Sequence, residues 1–441
     1  MAEMVEYFPG IGKIQYCPDA PPTETLCFKY YNPSEVILGK PMSEWLRFSV
    51  VFWHTFRGTG LDPFGAPTLS RAWNRPAETV DDAKRRLDAA FEFFTKLGVQ
   101  FYTFHDRDIA PEGASLAETN ANLEAVVEHA LELQQRTGVQ LLWATCNLFS
   151  NPRYMHGAAT SPLAEVFAYA GAQVKKGLEV AKKLGALNYV FWGGREGYAS
   201  LLNTRLREEL DHMANFFRMV VAYKKKIGFT GQLLIEPKPK EPTSHQYDYD
   251  AMTVIGFLRT YGLQEEFKLN IEPNHTTLAG HCHEHDIAMA SAFGCLGSVD
   301  ANTGSPELGW DTDQFPMSVR DCTAVMRYVL AQGGLAPGGL NFDCKVRRES
   351  TSLTDMFAAH IGAMDTFARG LRCAAKMQQD GVLDGLVATR YASYRDSELG
   401  RSIADGTATL ESLEAHILKH GEPEVPSGQQ ETFELIFNRY L

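Results

Sequence analysis

The stretch "GQLLIEPKP" (residues 231–239) joins a short apolar run to a glutamate, a proline and a lysine. The stretch "FKLNIEPNH" (267–275) repeats the apolar run, the glutamate and the proline, and ends in a histidine. Each run has the length of a buried β-strand, and the proline stops the strand because it has no N–H to donate. Two strands that end alike indicate a repeated strand–helix unit.

The same kind of β-rich run recurs through most of the chain. Together with the two above, the runs are "LRFSVVFWH" (46–54), "VQFYTFHD" (99–106), "VQLLWATCN" (139–147), "LNYVFWGG" (187–194), "CLGSVDAN" (295–302) and "GLNFDCK" (339–345). Helical periodicity lies between them, and the segments 78–98, 115–138 and 162–185 each end at a glycine, as helices often do. Strands that alternate with helices eight times predict the α/β class and a closed, parallel (β/α)8 TIM barrel.

Each predicted strand turns polar at its carboxyl end. The polar residues at these ends are His54, His105, Asp106, Asn147, Arg195, Glu196, Glu236, Lys238, Glu272, His275, Asp300, Asn302, Asp343 and Lys345. Active sites of (β/α)8 barrels lie on the rim formed by the carboxyl ends of the strands. We therefore expect the functional site on this rim.

The strand pattern occupies only the middle of the chain. We expect an irregular N-terminal extension over residues 1–40, the catalytic barrel over 41–350 and a mostly helical C-terminal tail over 351–441. The stretch "DMFAAHIGAMDTFARGLRCAAKMQ" (355–378) is the clearest amphipathic segment of the tail. A tail of this length cannot fit inside a barrel, so it either wraps a neighbouring subunit or folds back as a small helical subdomain.

Composition indicates a globular cytoplasmic protein. Of the 441 residues, 44% are hydrophobic and 22% are charged, as is usual for a chain with a sizeable core. The formal charge of −12 argues against nucleic acid and against an anionic membrane surface as partners. The eight cysteines form no CxxC pair and suit reduced thiols. No signal peptide is visible, and no apolar run approaches the ~18 residues of a membrane helix.

Acidic residues end four consecutive predicted strands. Glu236, Glu272, Asp300 and Asp343 are expected to converge on one barrel mouth, where their charges require compensating cations. A single glutamate at a strand end is usually structural, but four matching carboxylates are not explained in that way. Because hard divalent ions take several oxygen ligands, Mg²⁺ or Mn²⁺ is the natural counterion.

A second ion is suggested by the residues that follow. His275 lies three residues after Glu272, and "GWDTDQFP" (309–316) adds Asp311 and Asp313. These side chains could hold a second ion, with Glu272 as a bridge between the two, although the aspartates could also cap a turn. A site rich in oxygen with one imidazole admits Mn²⁺ or Co²⁺ alongside Mg²⁺.

Other polar and aromatic residues of the rim have both a functional and a structural interpretation. Lys238 could form a salt bridge to the carboxylates or hydrogen-bond a developing alkoxide. Asp108 could orient His105 and strengthen it as a base, although an isolated histidine is more often structural. Trp53 and Trp192, which are predicted to end the first and fourth strands, could belong to the core or exclude water from the site.

The stretch "HCHEHD" (281–286) also contains potential metal ligands. His281 and His285 are four residues apart and could pair on one helix face. Because no third ligand is apparent and the helix is expected to begin outside the barrel mouth, we favour a structural role for this pair.

Several of these stretches closely resemble the xylose isomerase family, in its longer class with an extended N-terminus. They are "FHDRD" (104–108), "LLIEPKPKEPTSHQYDYD" (233–250), "NIEPNHTTLAGH" (270–281), "SVDAN" (298–302), "GWDTDQFP" (309–316) and "NFDCKVRRES" (341–350). The resemblance spans roughly residues 5 to 435. It implies an aldose–ketose isomerase that interconverts D-xylose and D-xylulose, and D-glucose and D-fructose more weakly. The implied reaction is a hydride shift, assisted by two metal ions, after the sugar ring opens.

The resemblance also implies roles for individual residues. It implies a first ion bound by Glu236, Glu272, Asp300 and Asp343, and a second bound by Glu272, His275, Asp311 and Asp313. It further implies that His105, held by Asp108, assists ring opening, and that Lys238 polarises a substrate oxygen. Trp53 and Trp192 would flank the sugar, and Thr145 would touch a hydroxyl group. Phe64 would enter the site from a neighbouring subunit of a homotetramer joined by the C-terminal tail.

One position departs from the family pattern. Many relatives carry an acid where this chain has Ser305, so loop charge, metal preference and pH optimum could differ here. Two other functions stay open at this point. A metallohydrolase resembling the abasic-site endonucleases predicts more histidine ligands and a basic face. A non-catalytic sugar-binding protein does not explain seven metal ligands beside a His–Asp pair.

Overall fold

The computed structural model describes residues 5–75 and 78–441, so the first four residues of the expected N-terminal extension lie outside the described ranges. Within these ranges, eight parallel strands form a closed barrel. They are β1 Phe48–Val51, β2 Phe101–His105, β3 Gln140–Thr145, β4 Asn188–Trp192, β5 Gln232–Glu236, β6 Phe267–Ile271, β7 Leu296–Asp300 and β8 Leu340–Phe342. Their order round the barrel is their order in the chain, and the pairs Leu340–Phe48 and Phe342–Val50 join β8 to β1. The predicted (β/α)8 barrel is confirmed.

Helices connect the strands and continue beyond the last of them. They are α1 Met42–Leu46, α2 Phe52–Arg57, α3 Val80–Leu97, α4 Asp106–Ile109, α5 Leu116–Thr137, α6 Ala164–Lys183, α7 Leu206–Ile227, α8 Ala251–Tyr261, α9 Pro273–Leu278, α10 His285–Ala292, α11 Val319–Ala331, α12 Leu353–Asp380, α13 Val382–Arg390, α14 Ser393–Asp396, α15 Glu398–Ala404, α16 Leu410–His420 and α17 Gln430–Asn438. Short antiparallel pairs join Val36–Ile37 to Lys40–Pro41, and Gly197–Tyr198 to His245–Gln246.

Local sequence explains where the long helices begin and end. The side chain of Thr79 accepts a hydrogen bond from the backbone N–H of Asp82 at the start of α3, and Asp82 returns the contact. Helix α3 ends at Gly98 with φ 83° and α5 at Gly138 with φ 76°, a left-handed conformation that glycine adopts without strain. The predicted helix ends are confirmed at both positions.

The first strand is shorter than predicted. It ends at Val51, and the chain then enters α2, so Trp53 and His54 lie on a short helix and not at the end of the strand. His275 likewise lies on α9, which Pro273 begins. Proline suits the first position of a helix because its missing N–H would have no partner there. The side chains of Trp53, His54 and His275 nevertheless lie at the barrel mouth.

The two extensions differ in how they pack. In the N-terminal segment, the ring of Phe8 lies 5.3 Å from that of Trp73 and 5.4 Å from that of Phe357, so this segment ties the barrel to α12. Helix α12 buries an apolar face against the barrel helices, chiefly α11. By contrast, Leu410 is 83% and Leu418 is 81% exposed on α16. The assignment of the tail to oligomer contacts stays a prediction.

All eight cysteines are free thiols, as expected from their spacing. In the part of the chain that the structure describes, the helices lack the combination of length and apolar character needed to cross a membrane. Several of the thiols, such as those of Cys322 and Cys344, are buried in the core.

Candidate active site

Four carboxylates meet at the carboxyl ends of β5 to β8. Glu236 and Asp300 are the last residues of β5 and β7, whereas Glu272 and Asp343 directly follow β6 and β8. Each offers an oxygen, and these four oxygens lie within 4.8 Å of one another. Glu272 is 2% exposed and Asp300 is fully buried, so water screens their repulsion poorly. The structure brings together the four residues predicted to hold the first ion.

Buried asparagines position these carboxylates. Nδ2 of Asn270 donates to Oε2 of Glu236 and to Oδ2 of Asp300, both over 2.9 Å. Nδ2 of Asn341 donates to Oδ1 of Asp300 over 2.7 Å. Because amide groups are neutral, they orient the oxygens and leave the negative charge of the cluster in place.

The cluster favours protonation unless a cation is present. Burial raises the pKa of Glu236 well above its ordinary value, and Asp300 and Asp343 raise it further. Burial has the same effect on the pKa of Glu272, reinforced by Asp311. A divalent cation would remove the repulsion and supply the charge that the amides lack. The donor set therefore fits a hard divalent ion.

Glu272 also faces a second group of ligands. Oxygens of Glu272, Asp311 and Asp313 lie within 4.8 Å of one another. Nε2 of His275 is 3.1 Å from Oε2 of Glu272 and 3.1 Å from Oδ2 of Asp311. Nδ1 of His275 donates to the carbonyl of Pro237 over 3.0 Å, which directs Nε2 at the carboxylates. The residues predicted for the second ion are therefore also brought together.

Lys238 lies between this second group and an aromatic wall. Its Nζ is 2.7 Å from Oδ2 of Asp311, 3.2 Å from Oε2 of Glu241 and 5.2 Å from the centroid of the Trp192 ring. Burial lowers the pKa of Lys238, but Asp311 and Glu241 outweigh burial and raise the pKa above its ordinary value. The lysine is therefore a permanent cation, and it both forms the salt bridge expected from the sequence and lines the cavity.

His105 and Asp108 form a buried pair at the end of β2. Nδ1 of His105 is 2.8 Å from Oδ2 of Asp108, which also accepts the backbone N–H of His105 over 2.8 Å. Burial lowers the pKa of His105, and Asp108 more than offsets this, so the pKa lies above its ordinary value. Since Asp108 engages Nδ1, Nε2 is the ring nitrogen left for a ligand in the cavity that His105 lines.

Aromatic side chains enclose the remaining wall of a cavity of about 210 Å³. The apolar residues that line it are Trp53, Trp143, Phe149, Val190 and Trp192. Nε1 of Trp53 donates to Oδ1 of Asp343 over 2.9 Å, which fixes this ring beside the first ligand group. Thr145 also lines the cavity, and its hydroxyl donates to the carbonyl of Val190 over 2.6 Å, so its oxygen remains an acceptor.

Phe64 lies apart from the other predicted site residues. Of the residues described, those that line the cavity do not include it. Its side chain is 83% exposed, and its ring centroid is 5.9 Å from that of Trp310. An exposed phenylalanine is free to contact another molecule, so the expectation that it enters a neighbouring site stays a prediction.

His54 is a site residue whose contacts were missed by sequence reasoning. Its Nε2 is 3.1 Å from Oδ2 of Asp313 and 3.2 Å from Oδ1 of Asp343. Desolvation lowers the pKa of His54, but the two aspartates raise it to about 9. The sequence placed His54 at the end of a strand, and nothing in its neighbourhood pointed to residues more than 250 positions away.

The supporting asparagines leave a signal in the sequence. Asn270 lies two residues before Glu272, and Asn341 lies two residues before Asp343. Strand alternation places residues two apart on the same side, so each pair points into the barrel. Polar residues inside a buried strand need partners. The structure supplies them from neighbouring strands, because Asn270 donates to Glu236 and Asp300, and Asn341 donates to Asp300.

Ser305 lies in the loop that carries Asp311 and Asp313. Its backbone N–H donates to the Thr312 hydroxyl over 3.1 Å, and its own hydroxyl accepts from Nε2 of Gln314. The serine therefore braces the loop without adding charge. An acid at this position would add a negative charge close to the second ligand group.

Comparison with known proteins places these features in a family. A D-psicose 3-epimerase from Clostridium cellulolyticum H10, solved with D-tagatose, matches with a TM-score of 0.51 at 12% identity, over 74% of this chain and 99% of that one, which is a likeness of fold alone. Residues 387–441 match the family model described as the XylA2 C-terminal domain.

Two curated relatives match along nearly the whole chain. The xylose isomerase of Hordeum vulgare is 56% identical over 437 residues, 99% of this chain and 91% of the relative. The xylose isomerase of Arabidopsis thaliana is 57% identical over 433 residues, 98% of this chain and 90% of the relative. With the ligand groups, the lysine and the His–Asp pair all in place on a (β/α)8 barrel, the chain belongs to the xylose isomerase family.

Proposed function

We propose that this protein is an aldose–ketose isomerase that interconverts D-xylose and D-xylulose, and D-glucose and D-fructose more weakly. The observation that carries the proposal is the pair of ligand groups that share Glu272 at the wall of one cavity. Two ions held side by side suit a substrate with two adjacent oxygens, as the open-chain forms of these sugars have at C1 and C2. Family membership supports the same substrate class.

The enzyme uses two divalent ions per subunit, Mg²⁺ or alternatively Mn²⁺ or Co²⁺. The ligands of the first are Glu236, Glu272, Asp300 and Asp343, and those of the second are Glu272, His275, Asp311 and Asp313. Six of these seven residues offer carboxylate oxygens, the ligands that Mg²⁺ and Mn²⁺ prefer. When bound, the ions supply Lewis acidity towards two neighbouring substrate oxygens.

Lys238 supplies the fixed positive charge of the reaction. As a hydride passes from C2 to C1, O2 loses its hydroxyl proton and C2 becomes the ketone, while O1 gains negative charge and then takes up a proton. The protonated Nζ of Lys238 donates a hydrogen bond to O1 as this charge develops. A buried ammonium group stabilises this charge more than water would, because the surroundings have a low dielectric constant. Asp311 and Glu241, which contact Nζ, hold the ammonium group at the cavity wall.

His105 handles a proton in the step before the hydride shift. Asp108 engages Nδ1, so Nε2 exchanges a proton with the sugar as the ring opens to the free aldose. Trp53 and Trp192 flank the sugar and keep water away from the hydride, and Thr145 contacts a hydroxyl group.

The complete site requires a second subunit. Phe64, exposed in the single chain, covers the cavity of a neighbouring subunit in a cytoplasmic homotetramer. The proposed division of the chain is an N-terminal extension (1–40), a barrel that carries the active site (41–350) and a tail that makes the oligomer contacts (351–441). The exposed leucines of α16, Leu410 and Leu418, support the proposal that the tail makes oligomer contacts.

The direct test is isomerisation itself. We expect the purified protein to convert D-xylose to D-xylulose with Mg²⁺, to lose this activity in EDTA and to regain it when Mg²⁺, Mn²⁺ or Co²⁺ is added. Products are identified by NMR, because an epimerase would instead invert a ketose at one carbon. Absence of D-xylulose with all three metals would disprove the proposed function.

A further inference from the structure

The "HCHEHD" stretch forms a second cluster of potential metal ligands, outside the barrel mouth. His281 precedes α10 and His285 is its first residue, and their rings stack with centroids 4.1 Å apart and planes at 21°. A nitrogen of each ring and an oxygen of Asp286 lie within 4.8 Å of one another. The structural role favoured from the sequence depended in part on the lack of a third ligand. The fold supplies that ligand.

Hydrogen bonds hold the carboxylates of this cluster in place. Oδ2 of Asp250 is 3.2 Å from Nε2 of His281, while Oδ1 of the same residue accepts the backbone N–H of Thr253 over 2.8 Å. Asp286 accepts the backbone N–H of Ala251 over 3.3 Å and a hydroxyl hydrogen bond from Thr276 over 3.2 Å. Ligands that are ordered beforehand lose little conformational entropy when an ion binds.

The surroundings of the cluster suit a cation that arrives from solvent. Asp286 is 3% exposed, whereas the side chains of His281 and Asp250 are 29% and 16% exposed. The carboxylates of Asp250 and Asp286 lie beside the two imidazoles, so an ion bound among these side chains would meet oxygen as well as nitrogen ligands. Partial burial strengthens the attraction between these carboxylates and an ion.

We propose that this cluster binds a divalent transition-metal ion and that its ligands suit Zn²⁺. The ligands are His281, His285 and Asp286, with Asp250 beside them. Two imidazole nitrogens with carboxylate oxygens form a ligand set typical of zinc. The barrel mouth differs, because it offers carboxylates and a single imidazole and so favours harder ions. The protein thus carries a third metal site of a different chemical class.

Helix α16 offers an internal control. His416 and His420 also stack, with ring centroids 4.4 Å apart and planes at 29°. Among the described residues, however, no acidic side chain completes a three-ligand group with them. A pair of imidazoles alone is a weaker zinc ligand than a pair completed by a carboxylate.

The test measures zinc bound to the full-length protein in saturating Mg²⁺, by equilibrium dialysis and elemental analysis. We expect the double variant His281→Gln/His285→Gln to bind one Zn²⁺ per chain fewer than the wild type at micromolar free zinc. The double variant His416→Gln/His420→Gln should match the wild type. Zinc that displaces magnesium at the barrel mouth contributes equally to all three proteins. Equal zinc content in all three would overturn the proposal.

A second measurement needs no variant. Diethyl pyrocarbonate modifies accessible, unligated imidazoles, and mass spectrometry identifies the modified positions. Zn²⁺ at micromolar concentration should protect His281 and His285 of the wild-type protein by at least about tenfold in rate and leave His416 and His420 reactive. Unchanged modification of His281 and His285 would reject the site. Neither readout depends on isomerase activity, so failure here is distinguishable from failure of the proposed function.

Discussion

Nε2 of His54 lies 3.1 Å from Oδ2 of Asp313, and the same nitrogen is 3.2 Å from Oδ1 of Asp343. These aspartates belong to different ligand groups, so one imidazole connects the two proposed ion sites. The connection comes from α2, a short helix that begins right after β1. His54 is therefore a positioning residue for both groups.

Substitution of His54 should weaken metal binding more than catalysis. In His54→Ala the two carboxylates lose a shared partner, and we expect the Mg²⁺ concentration for half-maximal activity to rise about tenfold, a typical effect of losing a group that orients metal ligands. The turnover number at saturating Mg²⁺ should change little. For His54→Asn, which keeps one donor, the Mg²⁺ concentration for half-maximal activity should lie between those of His54→Ala and the wild type. A large loss of turnover with an unchanged Mg²⁺ dependence would contradict this role.

Lys238 and Asp313 should separate catalysis from metal binding. Lys238→Met removes the ammonium group that stabilises developing charge, and we expect a loss in turnover of about 100- to 1,000-fold. Both ions should still bind, because all their ligands remain. Asp313→Asn should instead lower the affinity of the second ion selectively. Titration of both variants with Mn²⁺, followed by electron paramagnetic resonance, counts the bound ions. Loss of both ions in Lys238→Met would show that its role is structural.

The pair of His105 and Asp108 predicts an effect on the pH profile. Asp108 raises the pKa of His105, so Asp108→Asn should lower that pKa while it keeps the size of the side chain. We expect the limb of the kcat/KM profile governed by His105 to move to lower pH, together with a loss of rate from a less firmly oriented ring. Asp106→Asn serves as a comparison, because Asp106 also raises the pKa of His105 through its charge but does not contact Nδ1, so its variant should move the limb less than Asp108→Asn does. An unmoved profile in Asp108→Asn would contradict the orienting role.

The barrel and the proposed ligands could be derived from the sequence because both leave local signals. The glutamate–proline pairs at Glu236 and Glu272 mark strand ends, and a closed parallel barrel forces such ends to one rim. The contact of His54 with Asp313 and Asp343 left no such signal, because it depends on the chain leaving β1 as a helix. The contact between His281 and Asp250 likewise left no signal, because it joins separate elements of the fold.

The C-terminal tail gives a prediction about assembly. Leu410 and Leu418 are 83% and 81% exposed on α16 although leucine is costly to expose, so we expect another subunit to cover them. Leu410→Glu/Leu418→Glu should reduce the molar mass measured by light scattering from that of a tetramer to that of a dimer or monomer. Leu202→Glu is a matched control, because Leu202 is 99% exposed outside the tail. An unchanged tetramer in the tail variant would contradict the assignment.

His360 on α12 predicts how stability depends on pH. It is 1% exposed, its ring lies 4.7 Å from that of Phe315 and 5.2 Å from that of Phe93, and Nδ1 donates to the carbonyl of Met356 over 2.7 Å. Burial among these apolar groups lowers the pKa of His360 from 6.5 to about 4. Between pH 6.5 and pH 4, His360 is therefore largely protonated in the unfolded chain but neutral in the folded protein.

The sign of the effect follows from this difference. The contribution of neutral His360 to stability is complete above pH 6.5 and is lost as the pH falls from 6.5 towards 4, by up to about 3 kcal/mol. His360→Leu fills similar space without a titrating group, so its thermal midpoint should fall less than that of the wild type between pH 7.5 and pH 5. The carboxylates of the barrel mouth titrate in both proteins and cancel in the comparison, and His416→Leu, at a partly exposed position of α16, should follow the wild type. Parallel curves for His360→Leu and the wild type would show that His360 is protonated without cost in the folded protein.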